Sequence, residues 1–222
     1  MHPYLLPITK QFQQHADKTN AQGMRAYMLH QFDFFGIKTP LRRRLSNTHF
    51  KTFGITDIKD LETIVKEALE QPQREYQYFA IELFSFHRKL WKPSSIKLIQ
   101  FCISHKSWWD SVDTIATEWV GPFFKLFPEK TIQITSGWNK STDMWLQRSS
   151  ILFQKAYKKD TNTALLAEYI LHCRNSKEFF IRKVIGWALR EYSKTDANWV
   201  KQFVANHELS SLSKKEALKR LK

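Results

Sequence analysis

The sequence predicts an all-α protein, a solenoid of stacked helix pairs, on three observations. Apolar residues recur with a helical period along most of the 222 residues. Turn formers are scarce, with 6 Gly and 7 Pro, and no Asn-Gly, Asp-Gly or Gly-Gly pair is present to close a hairpin. One helical segment also matches another, without gaps, at a fixed distance along the chain.

The periodicity is clearest over residues 57–71, where Ile58, Leu61, Ile64, Val65, Ala68 and Leu69 fall on one helical face. Asp57 is placed to cap that helix and Pro72 to end it. A second run covers about 73–89, and Pro93-Ser94-Ser95 opens a third. Further runs cover about 107–119, 129–138, 143–157, 161–173, 176–192 and 196–205, with Gly121-Pro122, Pro128 and Ser141-Thr142 as breaks. No stretch reads as a linker, so a single domain over residues 1–222 is expected.

The repeat joins Trp145-Leu146-Gln147-Arg148-Ser149-Ser150-Ile151 to Phe180-Ile181-Arg182-Lys183-Val184-Ile185-Gly186, 35 residues on. The same step links Arg43, Tyr78, Asp113, Arg148 and Lys183. Two positions further along, the series Leu45, Ala80, Ile115, Ser150 and Ile185 is mostly apolar or small. The next step forward reaches Leu218, where the pattern fades as it does in a terminal repeat. The tetratricopeptide pattern is missing, and so is the recurring polar code of RNA-reading repeats. The loose consensus of HEAT-like pairs fits best. Stacking would set the Arg43 series side by side on one concave, basic, DNA-binding groove. Four of its five members suit phosphate contact. The fifth, Asp113, is poorly placed to hold DNA and well placed to face a cation, although an Asp can also fall there by chance.

Charge points the same way. Lys and Arg number 35 against 21 acids, a net charge of +14, with no basic low-complexity tail. That excess favours a polyanion, nucleic acid over an anionic membrane surface. Among the 8 Trp and 17 Phe most must be core, but some could stack on nucleic acid. Cys102 and Cys173 lie far apart in apolar runs, as buried thiols of a reducing cytosol do. The eight His form no metal-ligand cluster, so no metal is expected. The start, Met1-His2-Pro3-Tyr4, lacks a basic leader, and no apolar stretch approaches the roughly 20 residues of a membrane span. A cytoplasmic protein without a membrane partner is expected.

The most unusual run is Lys106-Ser107-Trp108-Trp109-Asp110-Ser111-Val112-Asp113. Trp109 and Asp113 share one helix face. Trp187 lies two repeats later, with Arg190 one turn beyond it. Two indoles beside a carboxylate make an electron-rich slot for a cation. Ordinary core packing accounts for Trp108.

Several segments resemble the AlkD-type DNA alkylation repair proteins: Trp108 to Asp113, Trp145-Leu146-Gln147-Arg148, and Phe179 to Arg190. Phe35-Gly36-Ile37-Lys38-Thr39-Pro40 with Arg43, and Tyr27 within Met24 to Met28, are similar too. The resemblance spans essentially the whole chain. It implies a HEAT-like solenoid and a monofunctional glycosylase for N3- and N7-alkylated purines in duplex DNA, acting without conventional base flipping. It makes Asp113 the catalytic carboxylate, sets Trp109 and Trp187 beside the lesion, and gives Tyr27 and Arg148 to the nearby backbone. With Thr39 and Arg190 from the matched segments, and Arg43 and Lys183 from the repeat, these complete the expected DNA contacts. No cofactor is implied, and a monomer suits a groove that wraps DNA. Ser149 and Ser150 stand where the family has an Ala pair, and Val184 where Ala is usual, which read as packing changes.

The chemistry agrees. Alkylation at N3 or N7 makes the purine a cationic leaving group, so little acid catalysis is needed, and one carboxylate can stabilise the oxocarbenium ion and orient water. Basic neighbours should keep Asp113 ionised. A non-catalytic binder of bent or branched DNA shares the charge and fold. A protein-interaction scaffold shares the fold but would show no salt-sensitive DNA affinity.

Overall fold

The computed structural model describes residues 1–221. Those residues are mainly helical, with no strand among them. They divide into two compact units, one from Met1 to Leu98 and one from Ile99 onward.

The first unit holds α1 (Leu5–Gln14), α2 (Lys18–Tyr27), α3 (Thr39–Thr52), α4 (Ile58–Glu70) and α5 (Arg74–Phe86). Helix α4 buries all six residues of its apolar face, and Asp57 caps it by accepting from the backbone of Lys59 and Asp60. It packs on α5, which also receives α3. The approach to α3 is fixed by one acid. Glu75 is 1% exposed, and its carboxylate accepts the N–H groups of Phe35, Gly36 and Ile37 at 3.0, 2.9 and 3.1 Å. Gly36 takes φ +90°, and a Cβ there would lie 2.1 Å from the Asp17 carbonyl oxygen. Only glycine meets both conditions. The Phe35-Gly36-Ile37 motif is thus a pinned loop that delivers Thr39 and Pro40 into the first turn of α3.

In the second unit, α6 (Ile96–Ser104), α7 (Trp109–Ile115), α8 (Gly121–Leu126), α9 (Thr131–Asn139) and α10 (Met144–Leu152) come first. They are followed by α11 (Thr163–Cys173), α12 (Phe179–Tyr192), α13 (Ala197–Asn206) and α14 (Ser211–Ala217). The expected break at Gly121-Pro122 is absent, since the chain stays helical from α7 through α8. Ala116–Val120 widens into a π turn just before the proline. That widening makes room for a ring with no N–H to donate. Gly121 lets the next repeat approach: a Cβ there would lie 2.6 Å from the Phe153 carbonyl oxygen, and Tyr157 donates its hydroxyl to the Gly121 carbonyl at 2.7 Å. The expected run over 143–157 stops early. It ends at Leu152, and beyond it buried Gln154 holds the next turn by accepting from the Asn162 N–H at 2.7 Å and donating to the Asn162 carbonyl at 3.3 Å. No described helix is long and apolar enough to cross a membrane.

The inward series of the repeat is where the sequence puts it: Ala80, Ile115, Ser150 and Ile185 are buried, and Leu45 is half-buried. The two serines differ in what they do there. Ser150 donates to the Gln147 carbonyl at 2.6 Å and accepts from Asn139 Nδ2 at 2.9 Å. Asn139 also reaches the Tyr169 carbonyl, so this network ties α9, α10 and α11 together. The fully buried Ser149 hydroxyl meets no hydrogen-bond partner among the described residues.

Ser150→Ala should therefore destabilise the protein by about 1–3 kcal/mol, because the buried Asn139 amide loses the shortest of its bonds and keeps only the longer ones to Tyr169 and Cys173. Ser149→Ala should be neutral or stabilising, because it removes an unmatched polar group. Urea unfolding of both variants checks this, and the opposite ranking would show that side-chain volume decides at these positions.

Candidate functional site

Helices α7, α10 and α12 occupy equivalent places in successive repeats, and α10 packs against both of the others. The 35-residue step therefore has a physical expression. Arg148 donates Nε to Asp113 Oδ1 at 2.6 Å and Nη2 to Oδ2 at 2.8 Å, a two-bonded pair between side chains 35 residues apart. Its Nη1 donates to the Phe180 carbonyl at 2.5 Å, which links the pair to the start of α12. The Arg148 side chain is only 5% exposed and that of Asp113 15%. Arg148 thus has three of its nitrogens engaged inside the protein.

Burial pushes the Asp113 carboxyl above its ordinary value, and the hydrogen bonds and charge of Arg148 oppose that shift. Basic neighbours do favour the ionised form, as expected, but desolvation outweighs them. Asp113 is held between two opposed forces.

Trp109 opens α7, so its ring lies one turn before Asp113 on the same helix face. Trp108 sits in extended backbone just ahead of the helix. Its ring packs at 5.3 Å from Phe180 and 6.1 Å from Trp145, an aromatic cluster beneath the Arg148 bridge. Trp187 is half-buried on α12. One face of its ring carries the Lys155 ammonium, 4.5 Å from the centroid, and its indole N–H serves Glu191. The Lys155 charge also acts on Asp113 and Glu191. Lys155 is the link between Trp187 and Asp113 that the sequence did not reveal. It follows α10 in a turn, outside any repeat register, and a lysine there looks like solvated surface.

The remaining candidates are distributed over the two units. In the second unit, Lys183 and Arg190 on α12 both pair with Glu216 of α14. In the first, Tyr27 is 69% exposed at the end of α2. Thr39 and Arg43 are exposed on α3. Arg43 Nε donates to Glu82 at 3.1 Å, and neighbouring Arg42 donates to the same carboxylate at 2.7 Å. Glu82 and Glu216 were also missed. Glu82 stands within five residues of one repeat step from Arg42 and Arg43, and Glu216 within two of one from Lys183, a loose signal that local spacing does not single out.

Arg148→Met should raise the Asp113 titration further, since burial would then act against the Lys155 charge alone, and should cost about 3–5 kcal/mol by removing the partner of a buried carboxylate. Carboxyl-selective NMR titration and thermal unfolding read both effects. An unchanged Asp113 titration would show that Arg148 does not hold the carboxylate ionised.

Comparison with known proteins bears on what this arrangement serves. A family model described as DNA alkylation repair enzyme matches residues 8–221. A solved structure from Enterococcus faecalis, described as a predicted DNA alkylation repair enzyme, is 32% identical, with a TM-score of 0.86 over 93% of this chain and 96% of that one. AlkD2 from Streptococcus mutans is 19% identical, with a TM-score of 0.64 over 83% of this chain and 90% of that one. The smu.31 protein of Streptococcus mutans UA159 is also 19% identical, with a TM-score of 0.62 over 91% of this chain and 98% of that one. No curated protein matches the chain.

Proposed function

This chain belongs to the DNA alkylation repair enzyme family, and from that premise we propose that it is a DNA glycosylase acting on duplex DNA. Its substrates are positively charged N3- and N7-alkylated purines, and it hydrolyses the N-glycosidic bond as the first step of base excision repair. One observation carries this reading: Asp113 is held as a paired, mostly buried carboxylate one turn from Trp109.

The chemistry asks little more of the protein. A cationic purine leaves as a neutral base, so no proton need be delivered to it. Positive charge builds on the deoxyribose instead, and a fixed carboxylate in a poorly solvated place stabilises it without reorganising. Each Asp113 oxygen accepts one Arg148 bond and keeps lone-pair capacity for an attacking water. Arg148 fixes the carboxylate plane, and the Phe180 carbonyl fixes Arg148. The faces of Trp109 and Trp187 favour a nearby cation. Tyr27, Thr39, Arg43, Lys183 and Arg190 are the DNA contacts in this reading, while Arg148, whose three nitrogens turn inward, serves by holding Asp113. The protein works as a single domain and a monomer in the cytoplasm, without metal or cofactor.

A second reading draws on the same pair. If the charge of Asp113 serves only to neutralise Arg148, the chain is a DNA-binding repeat protein without chemistry.

Release of 7-methylguanine from methylated duplex DNA separates the two. The wild-type chain should release the base, and Asp113→Asn should lose on the order of a hundredfold or more in rate while still binding DNA. Thermal unfolding of the variant shows whether Arg148 tolerates the weaker acceptor. Salt-sensitive DNA binding with no release by the wild type on several alkylated substrates would leave the non-catalytic reading standing.

A further inference from the structure

Two of the cations read as DNA contacts share one carboxylate. Lys183 and Arg190 stand about two turns apart on α12, which places them on the same side of the helix. Glu216 of α14 lies opposite. Its Oε1 accepts from Lys183 Nζ at 2.9 Å, and its Oε2 accepts from Arg190 Nη1. The helices approach closely at Gly186, which lies between the two cations in sequence. A Cβ there would lie 2.5 Å from Glu216 Cβ and 2.7 Å from the Ser213 carbonyl oxygen. The missing side chain at Gly186 lets Glu216 reach both cations at once.

The Glu216 side chain is 15% exposed, against 36% for Lys183 and 22% for Arg190. The acid therefore sits inward and the lysine, at least, reaches out toward solvent. A single bond each leaves most donors of an ammonium and a guanidinium for an outside acceptor. The Lys183 bond, joined by the charges of both cations, holds the Glu216 carboxyl below its ordinary value, so it stays ionised as a bracket.

We propose that Glu216 is a positioning residue for DNA: it holds Lys183 and Arg190 ready for adjacent phosphates. The inference rests on the reading of those two side chains as DNA contacts. Lysine and arginine carry large rotamer freedom, and freedom removed before binding is not lost on binding. The bracket has an electrostatic cost, because a carboxylate close to DNA repels phosphate. Its benefit must exceed that repulsion, and this makes the sign of the effect a test.

The experiment measures the affinity of the full chain for a labelled duplex across a salt series, with and without Glu216→Gln. Net charge alone predicts tighter binding by the variant and a steeper salt dependence. Positioning predicts the opposite: affinity about threefold to tenfold weaker, although the chain has gained positive charge. The same substitution in a Lys183→Met, Arg190→Met background should then have no further effect. Tighter binding by Glu216→Gln, or an equal loss in the background lacking both cations, overturns the inference, the second outcome assigning Glu216 to α12–α14 packing. If Lys183→Met and Arg190→Met bind as the wild type does, the DNA-contact reading fails and the bracket with it. If those two weaken binding and Glu216→Gln does not, the bracket alone fails.

Discussion

The second unit depends on a buried ion pair made across a repeat boundary. A guanidinium as enclosed as that of Arg148 cannot remain unpaired, because isolated charge is far too costly away from water. Asp113 supplies both acceptors it needs and the Phe180 carbonyl a third, so one side chain on α10 fixes α7 on one side and α12 on the other. The pair is demanding in register as well as in charge. A slip of one residue between α7 and α10 would turn the carboxylate off the guanidinium plane and leave two buried charges exposed to each other's absence. Other cross-repeat bonds keep a similar step: Tyr157 to Gly121 at 36 residues, Thr135 to Tyr169 at 34, and Lys183 to Glu216 at 33. Polar contacts thus set the spacing that the apolar core alone would leave loose.

That division of labour explains how a chain with 35 basic and 21 acidic residues uses its acids. Several of them are turned inward. Glu75 pins backbone, Glu82 holds Arg42 and Arg43, Asp113 holds Arg148, and Glu216 holds Lys183 and Arg190. Glu82 lies deeper than Arg43, and Glu216 deeper than both of its cations, whereas Arg42 and Arg148 are more enclosed than the acids they meet. An acid so placed orders a basic side chain without covering its outer donors. Most of the lysines are left to face solvent, which is where a polyanion would meet them.

Legibility followed the physics of each feature. The helices and their inward series could be read because burial imposes a period of 3.6 residues, and the stacked repeats because equivalent positions must share one chemistry. Asp113 could be singled out because an acid broke a basic register. Its partner could not be read as such: Arg148 in that register looks like a phosphate contact until its donors are seen to turn inward. Glu82, Glu216 and Lys155 were invisible for a similar reason, since their partners come from other helices and no local spacing records them. The helix through Gly121-Pro122 was hidden because a π turn, a tertiary accommodation, overrides the local breaking tendency of both residues.

The surroundings of Asp113 bear on which cation it could serve. Arg148 neutralises most of its charge, and the Lys155 ammonium lies on the Trp187 ring, close enough to act on Asp113. A small free cation approaching this place would meet two fixed positive groups around one carboxylate, and would on balance be repelled. A cation built into DNA arrives differently. It brings phosphates, which the basic residues attract, and so the polyanion carries the positive base or sugar past the repulsion and up to the carboxylate. Under the glycosylase reading, the basic residues around Asp113 thereby help to confine its chemistry to lesions that remain within a nucleic acid chain.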